Sequence, residues 1–315
     1  MPIRVIITDH LHPYLAEQLI ALGFYVDVEP DISNEQLATV IDQYEGLVLS
    51  TKILVTPRLI DAATRLRFIA RAGSGMENID SAYARQKGIA VISSPEGNAN
   101  AVAEHAMGLL LGLTNNIVRA DRDIRNGIWQ REENRGIELE GKTIGIIGMG
   151  HTGTAFSKKL RGFDVTVIAY DKYKTGFSGE FVSAVRLEEL QERADVISFH
   201  VPHSSDTHHY LNAGFIERCA KKFWLLNTSR GKIVDTDALI SGLAFGKILG
   251  AGLDVFENEQ FYQLPDVDRK RMDALCGYKN VILTPHVAGW TKESYFKISA
   301  ILAERIALLD LQNVK

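Results

Sequence analysis

Three segments in the second half of the chain set reactive side chains just beyond apolar runs. Leu226-Asn227-Thr228-Ser229-Arg230-Gly231 delivers an arginine. Leu253-Asp254-Val255-Phe256-Glu257-Asn258-Glu259 delivers carboxylates, and Thr284-Pro285-His286-Val287-Ala288-Gly289 delivers a histidine. An arginine offers a planar, permanently charged fork that suits a carboxylate. A histidine takes or returns a proton near neutral pH, and a glutamate beside it favours the imidazolium. Such a set fits proton movement at an alcohol carbon bonded to a carboxylate, with a separate group accepting hydride.

The separate group has its own signature. Gly148-Met149-Gly150-His151-Thr152-Gly153 is a GxGxxG that follows an apolar run (TIGII) and opens a helical segment (TAFSKKL). In that context Gly148 permits the tight turn, Gly150 lets backbone approach a pyrophosphate, and Gly153 allows close helix–strand packing. The helix N-terminus supplies N–H groups for the phosphates, with His151 and Thr152 in its first turn. Asp171 ends the next run, 23 residues after Gly148. A carboxylate there accepts from both adenine-ribose hydroxyls and repels a 2′-phosphate, so the expected cofactor is NAD. Lys172 and Lys174 stand close enough to soften that repulsion.

Strand ends are where an open α/β sheet places its ligands. The first hundred residues predict strands at Ile3–Thr8, Gly46–Ser50, Arg67–Ala70 and Ile89–Ser93, with helices at Pro13–Leu22, Ser33–Gln43 and Pro57–Ala63. A second series predicts strands at Thr143–Ile147, Val165–Tyr170, Val196–His200, Phe223–Asn227, Leu249–Leu253 and Val281–Thr284. Short, near-continuous apolar strands alternating with helices predict parallel sheets covered on both faces. Ala99–Val118 is expected to be one long buried helix linking two domains, and Thr291–Leu309 a second long helix. The charged stretch Pro265–Asp273 is expected to lie in a long loop.

Composition narrows the function classes. A chain of 315 residues fits two domains of about 150 residues each. A net charge of −4 gives no electrostatic ground for nucleic acid or an anionic membrane as a partner. An anionic substrate must therefore be held by a few local cations. Cys219 and Cys276 form no CxxC pair and are expected as two buried thiols. No His, Asp or Glu spacing argues for a metal. The N-terminus lacks a signal-peptide pattern and no apolar run is long enough to span a bilayer, so a cytoplasmic protein is expected.

At these residues the chain resembles the D-isomer specific 2-hydroxyacid dehydrogenase family. The likeness runs over nearly the whole chain and includes Arg71 to Asp80 (RAGSGMENID), Asn98 to His105 (NANAVAEH), His200-Val201-Pro202 and the three segments above. It implies an α/β protein of two doubly wound parallel-sheet domains. Residues 1–98 plus 289–315 would form a flavodoxin-like substrate domain, and 99–288 a Rossmann NAD-binding domain. The two long helices would cross between them, with the active site in the cleft. It further implies that His286 is the acid/base, Glu259 its partner, and Arg230 the holder of the substrate carboxyl and reacting oxygen. Asp254 would lie near the nicotinamide carboxamide. His200, Val201, Pro202 and Thr228 complete the cofactor set, and backbone amides at Ser74 and Gly75 would bind substrate carboxylate.

Within the family the likeness is greatest to the D-3-phosphoglycerate dehydrogenases. Lys52, Arg71 and Arg131 are then the cations expected at a substrate phosphate. Trp129 and Arg131 would reach across a homodimer formed through the NAD-binding domain. Ser50 stands where those enzymes usually carry arginine, with Lys52 two residues on. Glu77, Gln260 and Trp290 also depart from the common pattern, and Trp290 is expected to narrow the cleft. The alternatives are a glyoxylate/hydroxypyruvate or general 2-keto-acid reductase and, from another class, an NAD-sensing corepressor-like binding protein.

Overall fold

The computed structural model describes residues 2–309. It divides into two compact units, one made of the chain up to Ala99 together with the chain from Trp290, the other of Asn100–Gly289.

The first unit holds five strands: β1 (Arg4–Ile7), β2 (Tyr25–Val28), β3 (Gly46–Leu49), β4 (Phe68–Arg71) and β5 (Ala90–Ser93). They pair in parallel in the order β2-β1-β3-β4-β5, which is the flavodoxin-like order. Strand alternation sends Val5, Ile7, Val48 and Phe68 to one face and Ile6, Leu47, Leu49 and Ile69 to the other. Leu15, Leu19, Leu302 and Ile306 cover the first face. The helix Lys292–Ala307, capped reciprocally by Thr291 and Ser294, thus packs on the sheet built by the start of the chain. Leu37, Leu59, Ile60 and Ala84 cover the second face.

The second unit holds β6 (Thr143–Ile147), β7 (Thr166–Tyr170), β8 (Val182–Ala184), β9 (Val196–Phe199), β10 (Phe223–Asn227), β11 (Ile248–Leu253) and β12 (Val281–Leu283). All pair in parallel, in the order β12-β11-β10-β9-β6-β7-β8. The chain enters at β6, runs out to β8, then returns to lay β9 against the other side of β6. This is the Rossmann order with one strand added, and its switch point falls between β6 and β9. Ile144 and Ile146 face one layer of core while Ile147 and Phe199 face the other.

Three expectations are corrected. The long helix spans Glu96–Thr114 and stops short of Val118, because Asn116 turns left-handed at φ 53° and a new helix, Ile117–Arg125, follows. Asparagine tolerates that conformation, and its side-chain amide donates to the Arg135 carbonyl (3.1 Å). The charged stretch after Pro265 is a helix, Asp266–Gly277; Leu275 is its one buried residue, so the apolar stripe that announces a helix is nearly missing. The thiols differ too: Cys219 is buried, its pKa pushed up to about 11 by burial, whereas Cys276 is exposed. Among the described residues no helix is long and apolar enough to cross a membrane.

Candidate active site

The glycine loop opens at the end of β6. Gly148 has φ 97°, and a Cβ there would sit 2.5 Å from the His200 carbonyl oxygen. A Cβ on Gly153 would meet the Gly148 carbonyl oxygen at 2.0 Å, so turn and helix close on each other as only glycine allows. At Gly150 a Cβ would meet nothing within 4 Å. That open face adjoins the first turn of the helix His151–Lys159, whose leading amides lie beyond the intrahelical ladder. The space and the donors fit a pyrophosphate. Two buried polar atoms on neighbouring strand ends, His200 Nδ1 and Thr228 Oγ, lack a hydrogen-bond partner within the protein, as expected of a surface shaped for a polar ligand.

Asp171 follows β7. Its Oδ2 accepts from the Met149 amide (2.8 Å), and its Oδ1 from the amides of Tyr173 and Lys174 (2.9 Å each). Burial opposes its charge, but those three amides and the Lys174 ammonium outweigh it and hold the carboxyl below its ordinary range. Lys172 is engaged elsewhere, with Asp206 (2.7 Å), while Lys174, bonded to the Met149 carbonyl (2.9 Å), stays near enough to act on Asp171. Asp171 therefore presents a fixed negative charge at the end of β7. Asp171→Ala is expected to weaken NAD binding and raise the ratio of NADP to NAD use. A wild-type preference for NADP in steady-state assays would contradict this reading of Asp171.

His200 is buried and its pKa falls to about 3 through burial, so it stays neutral and carries no catalytic proton. Its Nε2 meets Ser198 Oγ at 2.8 Å and its ring lies 5.3 Å from that of Phe156. It shapes the floor under the glycine loop. Val201 and Pro202 continue that floor: a Cβ on Gly148 would press on Val201, and the Pro202 carbonyl accepts from Thr207 Oγ (2.7 Å).

Arg230, Glu259 and His286 come from the carboxyl ends of β10, β11 and β12, three adjacent strands. The Arg230 turn is set by Asn227, a buried residue whose Oδ1 accepts from the Ser229 amide (3.1 Å) and hydroxyl (2.8 Å) while its Nδ2 donates to the Arg230 carbonyl (3.0 Å). Gly231 follows so close to the next loop that a Cβ would overlap the Phe256 carbonyl at 1.8 Å. The Arg230 turn and the Glu257–Glu259 turn are thereby locked together.

Glu259 Oε2 lies 2.8 Å from His286 Nδ1. The hydrogen bond and charge of Glu259 raise the His286 pKa above its ordinary value, against the opposing effects of burial and of Arg230. Burial works against the Glu259 charge, yet His286, the Phe256 amide and Arg230 keep its pKa low. An ionised Glu259 accepts only, so Nδ1 carries the hydrogen and Nε2 is left bare to exchange a proton. His286 itself has φ 54°, a conformation that costs a non-glycine residue about 1–2 kcal/mol. The Asp254 carbonyl, accepting from the His286 amide (2.8 Å), helps hold it there.

Asp254 is 1% exposed, and both its oxygens bind the 284–288 loop. Its grip on the loop bearing His286 is direct; contact with a nicotinamide carboxamide would come in addition. Glu257 is set apart from the chemistry, since it accepts from His209 Nε2 (2.8 Å) and from the amide and hydroxyl of Thr236 (2.9 and 2.7 Å). His209 is thus partly buried and paired. Sequence reading missed Asn227. Asn227 sits in the motif used to find Arg230, but nothing in its spacing reveals a turn anchor.

The remaining predicted residues fall in two places. Lys52, Arg71, Ser74 and Gly75 follow β3 and β4 of the first unit, where Asn78 Nδ2 ties their loops by donating to the carbonyls of Ser50 (2.9 Å) and Ile53 (2.8 Å). Lys52 Nζ bonds the Pro30 carbonyl and Arg71 Nη1 the Ala72 carbonyl (2.6 Å). Trp129 and Arg131 stand on the exposed turn after the helix Ile117–Arg125. Trp290 is largely exposed, its ring against Tyr295 at 6.0 Å.

Comparison with known proteins agrees with this geometry. Residues 107–288 match the family model described as D-isomer specific 2-hydroxyacid dehydrogenase, NAD binding domain. The D-3-phosphoglycerate dehydrogenase of Archaeoglobus fulgidus is 34% identical over 305 residues, covering 96% of this chain and 56% of that protein. The hydroxypyruvate reductase of Thermotoga maritima is 37% identical over 277 residues, covering 87% and 88%. A crystal structure of D-lactate dehydrogenase from Aquifex aeolicus, complexed with NAD and lactic acid, superposes with a TM-score of 0.83 at 28% identity, covering 96% of this chain and 94% of that one. The chain belongs to the D-isomer specific 2-hydroxyacid dehydrogenase family and carries its NAD-binding domain. It spans a little over half the length of the phosphoglycerate relative.

Proposed function

We propose that the chain is an NAD-dependent D-2-hydroxyacid dehydrogenase whose substrate pair is 3-phosphoglycerate and phosphohydroxypyruvate. The observation that carries the reaction class is the His286–Glu259 pair within the field of Arg230, on the strand ends of a sheet whose first βα turn is the glycine loop. Bound NAD supplies the hydride acceptor at its nicotinamide C4. Bare His286 Nε2 takes the hydroxyl proton of the 2-hydroxy acid. Glu259 stabilises the imidazolium that forms, and Arg230 holds the carboxylate and the oxygen that becomes the carbonyl. In reduction the imidazolium returns the proton.

The roles of Ser74 and Gly75 at the carboxylate, and of Lys52, Arg71 and Arg131 at the phosphate, are part of the proposal. Support for the phosphorylated substrate comes from the relatives of that name; the Thermotoga relative supports hydroxypyruvate as the second reading. Comparing kcat/KM for phosphohydroxypyruvate, hydroxypyruvate and glyoxylate with NADH tests the choice. A higher value for an unphosphorylated acid moves the assignment to the reductase.

The proposal includes a homodimer formed through the second unit. Ile117, Val118, Ile124, Ile128 and Trp129 are all exposed on one short stretch, and Trp129 is 78% exposed. That much apolar surface in one place marks a contact surface. Sedimentation at micromolar concentration is expected to give a dimer, and Trp129→Glu a monomer. A monomeric wild type would contradict it.

A further inference from the structure

The Asp254 grip on the loop bearing His286 continues into a hydrogen-bonded chain that reaches His105, a residue to which none of the roles above is given. Asp254 Oδ1 accepts from Thr284 Oγ (2.6 Å) and from the Val287 amide (2.9 Å), and Oδ2 accepts from the Ala288 amide (2.8 Å). Thr284 Oγ also lies 2.9 Å from Nε2 of His105, which projects from the helix Glu96–Thr114. His105 Nε2 is 3.6 Å from Asp254 Oδ1, so it reaches the carboxylate mainly through the hydroxyl.

Proton counting fixes the direction of this chain. A carboxylate accepts and does not donate. The single hydroxyl proton of Thr284 must therefore point to Asp254, since two bare oxygens at 2.6 Å would repel. The Thr284 oxygen is then free only to accept, and His105 Nε2 must carry a hydrogen. The order runs from His105 N–H to the Thr284 hydroxyl to the Asp254 carboxylate, and from there to the loop. Four bonds from Asp254 act on residues 284–288: three through its side chain and one from the His286 amide to its carbonyl. His286 stands at the centre of that loop in a left-handed conformation that needs such support.

We infer that His105 and Thr284 are positioning residues for the acid/base: through Asp254 they hold the His286 loop in the one orientation that aims Nε2 at the reacting oxygen. The inference rests on the dehydrogenase reading. The His105 ring and the Thr284 hydroxyl act on the loop mainly through the next group in the chain. A small misplacement of a reacting group costs up to about 100-fold in rate, so loss of the chain should appear in kcat.

The test uses Thr284→Val, which keeps the shape and removes the hydroxyl, with Thr284→Ser as the conservative variant. His105→Leu removes the donor, and His105→Gln restores an N–H at nearly the same reach. For Thr284→Val and His105→Leu, kcat is expected to fall about 10- to 100-fold, with the NADH Kd within about 2-fold of wild type. Thr284→Ser and His105→Gln should recover most of the loss. The double variant Thr284→Val/His105→Leu should be little worse than either single one, because both break the same chain. Thermal melting and NADH titration of each variant separate misfolding from misplacement. Unchanged kcat in the folded single variants, additive losses in the double variant, or no recovery in Thr284→Ser would each overturn the inference. Absence of wild-type turnover would instead overturn the dehydrogenase reading, so the two failures are distinct.

Discussion

His286→Ala is expected to lower kcat by two to four decades, the range that a positioned general acid or base contributes. NADH binding should stay near wild type, because Asp171 and the β9 floor are held by hydrogen bonds of their own, to the Met149 amide and to Ser198. The pH profile carries the sharper expectation. Glu259 raises the His286 pKa, chiefly through the 2.8 Å hydrogen bond. Reduction needs the imidazolium, so its rate holds at low pH and falls as pH rises through that raised pKa. Oxidation needs the neutral ring and shows the opposite limb. Glu259→Gln removes the charge that favours the imidazolium, so both limbs should move to lower pH in kcat/KM. Unmoved limbs would mean that Glu259 is not coupled to the base.

Arg230→Ala is expected to impair every 2-oxo acid. A guanidinium fork making two charge-assisted bonds of about 1.5–3 kcal/mol each supports about two to four decades of kcat/KM. A second readout follows from the electrostatics: Arg230 holds the His286 pKa down against the pull of Glu259. Its removal should shift the reductive limb to higher pH, opposite to Glu259→Gln. Arg131→Ala provides the contrast. One phosphate contact is worth about one to two decades, and only phosphohydroxypyruvate has a phosphate to lose. Equal losses for phosphohydroxypyruvate and glyoxylate would remove Arg131 from the phosphate site.

Much of this was legible in the residues. The strands that are buried on both faces, such as Gly46–Leu49 and Val196–Phe199, announce themselves as unbroken apolar runs. The edge strand β2 does not: Tyr25 and Val28 are exposed and Asp27 interrupts it, and β8 is only three residues long. The helix Asp266–Gly277 was illegible because it buries a single leucine. Arg230, Glu259 and His286 lie at strand ends, where periodicity stops and residue type speaks. What holds them does not show in one dimension. Asn227 acts across three residues of turn, Gly231 acts through a contact with Phe256, and His105 meets Thr284 across 179 residues of chain.

The measurement that bears most directly on the central claim is turnover with stereochemistry. The purified chain would be incubated with NADH and a panel of 2-oxo acids including phosphohydroxypyruvate, hydroxypyruvate, glyoxylate and pyruvate. NADH consumption would be followed, and the product of any prochiral acid resolved on a chiral column. The expected result is oxidation of NADH with at least one acid, a product of D configuration, and loss of both in His286→Ala. Tight NADH binding without turnover of any acid, or an L product, would contradict it.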